Sequence, residues 1–402
     1  MRGRRDGQER MFFTINLERR IAANHPLRPI KLRVDRILAS MNEVFDWAYA
    51  KTGRPGVPPE RLLKAMLLQA IYSIRSEEQL VQRIDTDLLF RWFLGMDPAE
   101  DVFDPTAFAH NRERLREHAI VSTFFDAVLR EALEAELCSD HFSVDGTLLE
   151  SYASTKSFQP KATHEDERER DDHSSTDELP PNTPAESSPS TRNNFKSRNP
   201  EVDFHGQKRT NNTHASRTDP EAKLYRKGSG QPAILAHMGH VLSENRHGLI
   251  MRVQVTEASG MVEREAALSM LEHHKRQTGH HPKTIGADKG YDSGEFCRAL
   301  EQRGITPHCE LISTSPPRPE NVAPCRRAAV DARERMKARI TTSDYQLSQR
   351  CRKKVEECFG WLKTIAGLAR LKLVGHWKIQ QQLELSAAAF NLVRLRKLLP
   401  LT

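Results

Sequence analysis

The chain has 402 residues with 38% apolar content, enough for a sizeable core divided among two or three domains, which excludes a peptide, a toxin or a minimal adaptor. Lys and Arg number 61 against 54 Asp and Glu, a formal charge of +7, so the chain reads as a mildly basic globular protein. No apolar run approaches the roughly 18 residues needed to cross a bilayer, and the first residues lack an apolar stretch with a small-residue cleavage site, so neither a membrane protein nor a secreted one is expected.

Residues 1–135 read as a helical N-terminal domain. Between Pro58 and Ile74 the apolar residues Leu62, Leu63, Met66, Leu67, Ala70 and Ile71 recur every three or four positions, and Pro59 suits a first turn, so an amphipathic helix is predicted there. Ser76 and Gln79 form a capping-box pattern opening a short helix to about Ile84. Asp104 and Pro105 open a third helix over 105–116. Three short helices in this order fit a helix-turn-helix unit, and equally a bundle packed on the rest of the protein. If the third helix meets DNA, Arg112 and Arg114 are its candidate contacts.

The pattern changes near residue 139, where an α/β domain running to about 375 is expected. His141 to Asp145 alternates as a strand, and 248–256 alternates more clearly, with Leu249, Met251, Val253 and Val255 on one side. A helix from about Glu263 to Lys275, a strand at 284–288, a helix near 293–303 and a strand near 305–311 follow. Residues 160–200 interrupt this order with a segment rich in Pro, Ser and charge and poor in apolar residues, which reads as a flexible insertion inside the domain. A second irregular stretch, 313–320, precedes basic C-terminal helices. The last segment, 376–402, is expected to pack as a helix on the core through its apolar run at 382–395.

Charge is concentrated at 326–375, where 13 Lys or Arg face 5 Asp or Glu, while the remainder of the chain is nearly neutral. Charge alone fits either a surface that meets phosphate backbones or a solvated helix face. The six cysteines, Cys138, Cys297, Cys309, Cys325, Cys351 and Cys358, form no C-x-x-C pair. That spacing gives little support to a thiolate zinc site or a disulfide framework, and free thiols in a cytosolic protein are the expectation.

Asp145 and Asp288 each end an apolar strand with a glycine close behind. A carboxylate there is costly unless a cation or hydrogen bonds satisfy it, although a turn or cap role would also place an Asp at such a point. The segment Arg352 to Lys363 has no Pro and carries an apolar line through Val355, Phe359 and Leu362. Glu356 lies beside that line, with Arg352 and Lys363 on its own side, so one face of the predicted helix presents plus, minus, plus. A salt-bridged solvent face would show the same pattern. Taken together, two strand-end aspartates and a helix glutamate beside basic residues suit a two-metal phosphoryl-transfer site, in which paired Mg²⁺ ions about 3.5–4 Å apart serve the attacking and leaving oxygens.

The chain resembles bacterial insertion-sequence transposases of the DDE type, in the large group of IS-four and IS-five relatives. The resemblance covers nearly the whole chain and rests on motifs at 25–30, 53–65, 91–95, 144–150, 213–222, 239–249, 287–292 and 352–363. It implies an α/β fold with an RNase H-like core, a mixed sheet flanked by helices, joined to the all-α N-terminal domain and carrying the disordered insertion. It further implies that Asp145, Asp288 and Glu356 are the catalytic metal ligands, with Arg352 and Lys363 as supporting phosphate contacts. The family's late signature runs Tyr, two residues, Arg, three residues, Glu, six residues, Lys. Arg352, Glu356 and Lys363 keep that spacing and so select Glu356 over Glu357, but position 349 is Gln and Tyr345 lies four residues upstream.

The function expected from the resemblance is a DNA transposase that binds terminal inverted repeats, cuts the strand end by hydrolysis and joins the 3′-hydroxyl to target DNA. Two Mg²⁺ ions, replaceable by Mn²⁺, are the expected cofactors. Double-stranded DNA, at the transposon ends and at the target, is the expected partner, touched by Lys353 and Lys354. Synapsing two ends implies a homodimer or larger assembly, at the nucleoid of a bacterial cytoplasm. The alternatives are an inert DNA-binding derivative of such an enzyme and a stand-alone nuclease with the same core.

Overall fold

The computed structural model describes residues 14–49, 52, 56–161, 209–226, 228, 230–260, 262–312 and 324–399. Its N-terminal part is helical: α1 (Leu17–Arg20), α2 (Leu27–Ser40), α3 (Asn42–Ala48), α4 (Pro59–Ile71), α5 (Glu77–Thr86), α6 (Leu88–Leu94), α7 (Pro105–Glu117) and α8 (Ile120–Glu134). Local chemistry sets the helix starts. Ser76 Oγ accepts the Gln79 N–H at 3.2 Å, Asp104 Oδ1 accepts the Thr106 N–H at 2.8 Å, and Pro59 and Pro105 sit in first turns where no N–H is needed. The helix expected at 58–74 is buried on nearly every side, with Leu62 to Leu68 all buried. It is the central post of the bundle and not a surface helix with one apolar stripe.

The chain then enters β1 (His141–Glu150), which pairs antiparallel with β5 (Ile234–Glu244), itself antiparallel to β6 (Ile250–Glu257). On the other side of β1 lie β7 (Thr284–Ala287) and β8 (Thr306–Cys309), both parallel to it. The resulting order, β6-β5-β1-β7-β8, with three antiparallel strands followed by two parallel ones, is that of an RNase H-like core. A short strand, β4 (Lys223–Tyr225), pairs with the first residues of β5. The expected insertion at 160–200 lies outside the described residues from 162 onward, as does the irregular stretch at 313–320. The ends of that insertion are joined in a two-stranded ribbon, β2 (Phe158–Pro160) against β3 (His214–Ser216), with Pro160 opposite His214.

Helices α9 (Val262–Thr278) and α10 (Gly294–Glu301) make the connections from β6 to β7 and from β7 to β8. Then come α11 (Pro324–Ala338), α12 (Ser343–Arg352), α13 (Lys354–Thr364) and α14 (His376–Leu398). The helix expected over 352–363 is therefore two helices: Arg352 closes α12, and α13 begins after Lys353, where the backbone tightens and the Glu356 N–H bonds the Lys353 carbonyl at 3.1 Å.

Helix α14 joins the two halves of the molecule, lying against β6 on one side and α8 and α4 on the other. Strand β6 is a sheet edge, and α14 satisfies its outward backbone groups. Asn391 accepts from the Ile250 N–H at 2.9 Å and donates to the Ile250 carbonyl at 2.8 Å, while Gln380 does the same for Val255 N–H at 2.7 Å and Val253 O at 3.0 Å. One continuous apolar core consequently runs from Leu27 in α2 to Leu395 in α14. No helix among the described residues is long and apolar enough to cross a membrane.

Candidate active site

The β1–β7 register brings the two aspartates together. Ser143 lies opposite Gly286, the last pair of that ladder, so Asp145 and Asp288, each two residues further along, emerge next to each other, close enough for Asp288 to act on the charge of Asp145. Asp288 directly follows the last residue of β7 and caps a one-turn 3₁₀ helix, its Oδ1 accepting the Gly290 N–H at 2.8 Å. Asp145 does not end its strand as expected. Pairing with β5 continues through Gly146 to Glu150, with Asp145 opposite Val241. Gly146 makes room instead of a turn: a Cβ there would stand 3.1 Å from Glu263 Oε1 and 3.3 Å from His240 Nδ1.

Glu263, which the sequence did not mark, is the third carboxylate of this wall. It projects from the first turn of α9, with Oε2 3.2 Å from the position a Gly290 Cβ would take, next to Asp288 Oδ1 at 3.0 Å from the same point. An acid in a helix's first turn is ordinarily explained by the helix dipole, so its position in the sequence carried no separate signal. Glu356 stands exposed in the first turn of α13, near enough to Asp145 to act on its charge. Asp145, Asp288, Glu263 and Glu356 contain no trio whose possible ligand atoms all lie within 4.8 Å of one another. Among the described residues, the one trio whose possible ligand atoms all lie within 4.8 Å of one another is elsewhere, at Cys138, His274 and His280.

The electrostatics follow from packing acids together. Burial raises the Asp145 carboxyl to about 6, with Asp288 and Glu356 adding to the shift and the Gly146 N–H and Arg352 opposing it. Burial, then Asp288 and Asp145, push Glu263 up to about 7. The Tyr291 hydroxyl is buried beneath them without a hydrogen-bond partner, and its pKa is raised by burial and by the surrounding carboxylates. His240 on β5 has its Nε2 2.8 Å from Thr256 Oγ1, and burial lowers its pKa to about 4.

Arg352 is the cation nearest Asp145, with Nη1 4.0 Å from Asp145 Oδ2 and Nη2 3.6 Å from Glu310 Oε2. Its Nε donates to Gln349 Oε1 at 3.2 Å. Gln349, at the position where the resemblance leads one to expect Tyr, spends its amide on the sheet: Nε2 donates to Ala287 O at 3.2 Å and to His308 O. One turn earlier, the buried Tyr345 donates to Cys309 O at 2.9 Å. These two side chains fasten α12 across the ends of β7 and β8, and Gln349 also orients Arg352.

The remaining candidates divide. Lys353, between the two helices, is exposed, whereas Lys354 donates to the carbonyls of Asn245 and Arg246 at 2.8 Å each and so fixes the β5–β6 turn. Lys363 lies half-buried two turns beyond Glu356. In α7, Arg112 pairs with Glu77 and Glu113 and ties α7 to α5, and Arg114 lies over the Tyr49 ring at 5.1 Å. Both side chains of the helix expected to meet DNA are thus engaged within the protein. Cys138, Cys297, Cys309, Cys351 and Cys358 are free thiols.

Two family models match the chain. One described as a transposase domain (DUF772) covers residues 15–114, and one described as a transposase DDE domain covers 202–392. The second contains Asp288, Glu263 and Glu356, while Asp145 falls between the two matches. No curated protein matches the chain. Among solved structures, the Mos1 transposase paired-end complex with left transposon end is similar at 10% identity over 84% of this chain and 88% of that one, with a TM-score of 0.20. A pre-cleavage Mos1 transpososome is similar at 10% identity over 83% and 86%, with a TM-score of 0.20. A Mos1 mariner paired-end complex with Mn is similar at 11% identity over 86% and 88%, with a TM-score of 0.19. At that level of superposition the strand order, and not these structures, carries the fold.

Proposed function

The chain belongs to the DDE transposases, enzymes that cut DNA and transfer its strands with the aid of divalent metal ions, and on that premise we propose that Asp145, Asp288 and Glu356 are its catalytic metal ligands. The observation that supports this most is the register that sets Asp145 beside Asp288, with a third carboxylate, Glu263, folded over the pair.

The residues present fit hard cations. The donors are carboxylate oxygens, and their mutual repulsion in a half-buried wall, felt in the raised pKa values of Asp145 and Glu263, is the strain a divalent ion would relieve. When bound, two Mg²⁺ ions, or Mn²⁺ in their place, supply an activated water or 3′-hydroxyl and neutralise the phosphate between the attacking and leaving oxygens.

The chain's own side chains do the rest. Asp145 and Asp288 approach from the sheet and Glu356 from the helical side, so the phosphate enters between sheet and helix. Glu263 is a further acidic ligand or a direct neighbour of one. Arg352, set by Gln349, holds a non-bridging phosphate oxygen, and Lys363 supports it from further along α13. Lys353 meets the backbone of the DNA. Terminal inverted repeats and target DNA are the proposed substrates, the helical N-terminal domain over 1–135 the proposed DNA-binding part, and a homodimer or larger assembly the proposed reacting unit.

The test is strand cleavage and joining of a labelled fragment carrying the flanking inverted repeat, with Mg²⁺ or Mn²⁺, by the intact protein and by Asp145→Asn, Asp288→Asn and Glu356→Gln. Loss of both steps in each variant, with end binding kept, is the expected result. Cleavage retained in all three rejects the assignment, and cleavage of any DNA without joining favours a stand-alone nuclease.

A further inference from the structure

We propose that Cys138, His274 and His280 form a second metal site, separate from the carboxylates, that takes a zinc or copper(I) ion and staples α9 to the start of the sheet. Cys138 lies in the connection from α8 to β1, His274 in the penultimate turn of α9, and His280 just beyond that helix. Glu263 opens the same helix, about 16 Å away at 1.5 Å of rise per residue, so the two sites sit at opposite ends of one element.

The distances carry the argument. His274 Nε2 and His280 Nδ1 are 3.4 Å apart, Cys138 Sγ and His280 Nδ1 are 3.8 Å apart, and the third pair lies within 4.8 Å. Two ring nitrogens facing each other at 3.4 Å make at best a long hydrogen bond. With metal–nitrogen bonds of about 2.0–2.1 Å and metal–sulfur bonds of about 2.3 Å, the edges of a tetrahedron are about 3.3 Å between nitrogens and about 3.6 Å between nitrogen and sulfur. The two spacings to His280 are close to those edges, and the third pair needs a modest approach to reach them. A further soft donor lies beside the trio, the thioether of Met251 on β6, 3.7 Å from Cys138 Sγ.

The surroundings support ligation. His280 turns its other nitrogen, Nε2, toward Asp140 Oδ1 at 3.4 Å, and Lys283 holds that carboxylate through Oδ2 at 2.5 Å. A carboxylate behind a ligating histidine fixes its tautomer and raises its basicity. The Phe142 ring packs against both imidazoles, with centroids 5.2 and 5.6 Å away, and limits their rotation. His274 is fully buried with Nδ1 unpartnered, so a bare imidazole is poorly served there. A thiolate and two imidazoles select zinc or copper(I) over magnesium, and Met251 favours copper(I) among those.

The experiment uses the full-length protein stripped of metal, kept reduced and supplied with excess Mg²⁺ to occupy carboxylate sites. Titration with Co²⁺ should give one equivalent of a thiolate-to-cobalt charge-transfer band, displaced by Zn²⁺, and a chromogenic copper(I) chelator should lose one equivalent of Cu⁺ to the protein. Cys138→Ser should abolish the band and weaken binding by at least about 100-fold, more than an outer-shell change does, and Asp140→Asn should weaken it by about 10-fold. Asp145→Asn should leave the band untouched, which keeps this site's outcome separate from that of the carboxylates. Zn²⁺ or Cu⁺ should also raise the unfolding temperature of the intact protein and not of Cys138→Ser. Absence of the band, or a band unchanged in Cys138→Ser, overturns the proposal.

Discussion

Asp145 on β1 and Asp288, the first residue past β7, lie next to each other because Ser143 pairs with Gly286 two residues before them. A one-residue slip of that register would turn every side chain of the strand to its opposite face. The pair is therefore set by backbone hydrogen bonds before any ion arrives, and the predictions below test what has been built around it.

Gly146→Ala should damage the site while sparing the fold. The added methyl would stand 3.1 Å from Glu263 Oε1 and 3.3 Å from His240 Nδ1, and must push the flexible carboxylate aside. Strand cleavage should fall at least about 10-fold, a loss of about 1.4 kcal/mol in transition-state stabilisation, with circular dichroism unchanged. Full activity in Gly146→Ala would remove Glu263 from the reaction.

Glu263→Gln should move activity and metal-free stability in opposite directions. Removing one of several crowded carboxylates relieves repulsion, so the metal-free protein should gain about 1 kcal/mol near pH 8. Mn²⁺ affinity and cleavage should both fall. Calorimetry with and without Mn²⁺ reads the two effects, and a destabilised metal-free variant would contradict the account.

The raised carboxyls also fix a pH dependence. Asp145 at about 6 and Glu263 at about 7 lie above their unfolded values, so their contribution favours the metal-free fold at low pH and is lost as pH rises through that range. Metal ions compete for the deprotonated forms. Mn²⁺ affinity should climb between pH 5.5 and 7.5 and level off above, with protons released on binding, read by titration calorimetry in buffers of different ionisation enthalpy. Proton-neutral binding at pH 6.5 would contradict this.

Adjacent lysines should behave differently. Lys353→Ala should weaken DNA binding and lower the log–log salt slope by about 1 if that side chain touches one phosphate. Lys354→Ala removes two hydrogen bonds to the β5–β6 turn and should cost about 1–3 kcal/mol of stability with the slope unchanged. Equal slopes for Lys353→Ala and the intact protein would take Lys353 off the DNA.

The sheet and both aspartates were legible because strand alternation and apolar runs survive in single sequences, and the resemblance supplied their roles. Three features were not legible, each for a physical reason. A glycine after Asp145 reads as a turn, but it marks close approach by Glu263, which only the folded chain reveals. The break at Lys353 leaves no Pro or Gly to announce it. The partners that Arg112 and Arg114 meet in the fold, Glu77 and Tyr49, lie far off in the sequence and could not be read from α7 alone. Gln349, which departs from the family spacing, proves informative in space: it bonds the ends of β7 and β8 and steadies Arg352.

The most direct measurement of the central claim is the anomalous difference density of crystals grown with end DNA and Mn²⁺. The account predicts two peaks touching the carboxylates of Asp145 and Asp288, with Glu356 on one of them and the scissile phosphate between. Manganese bound elsewhere, with Asp145 and Asp288 away from the phosphate, would contradict it.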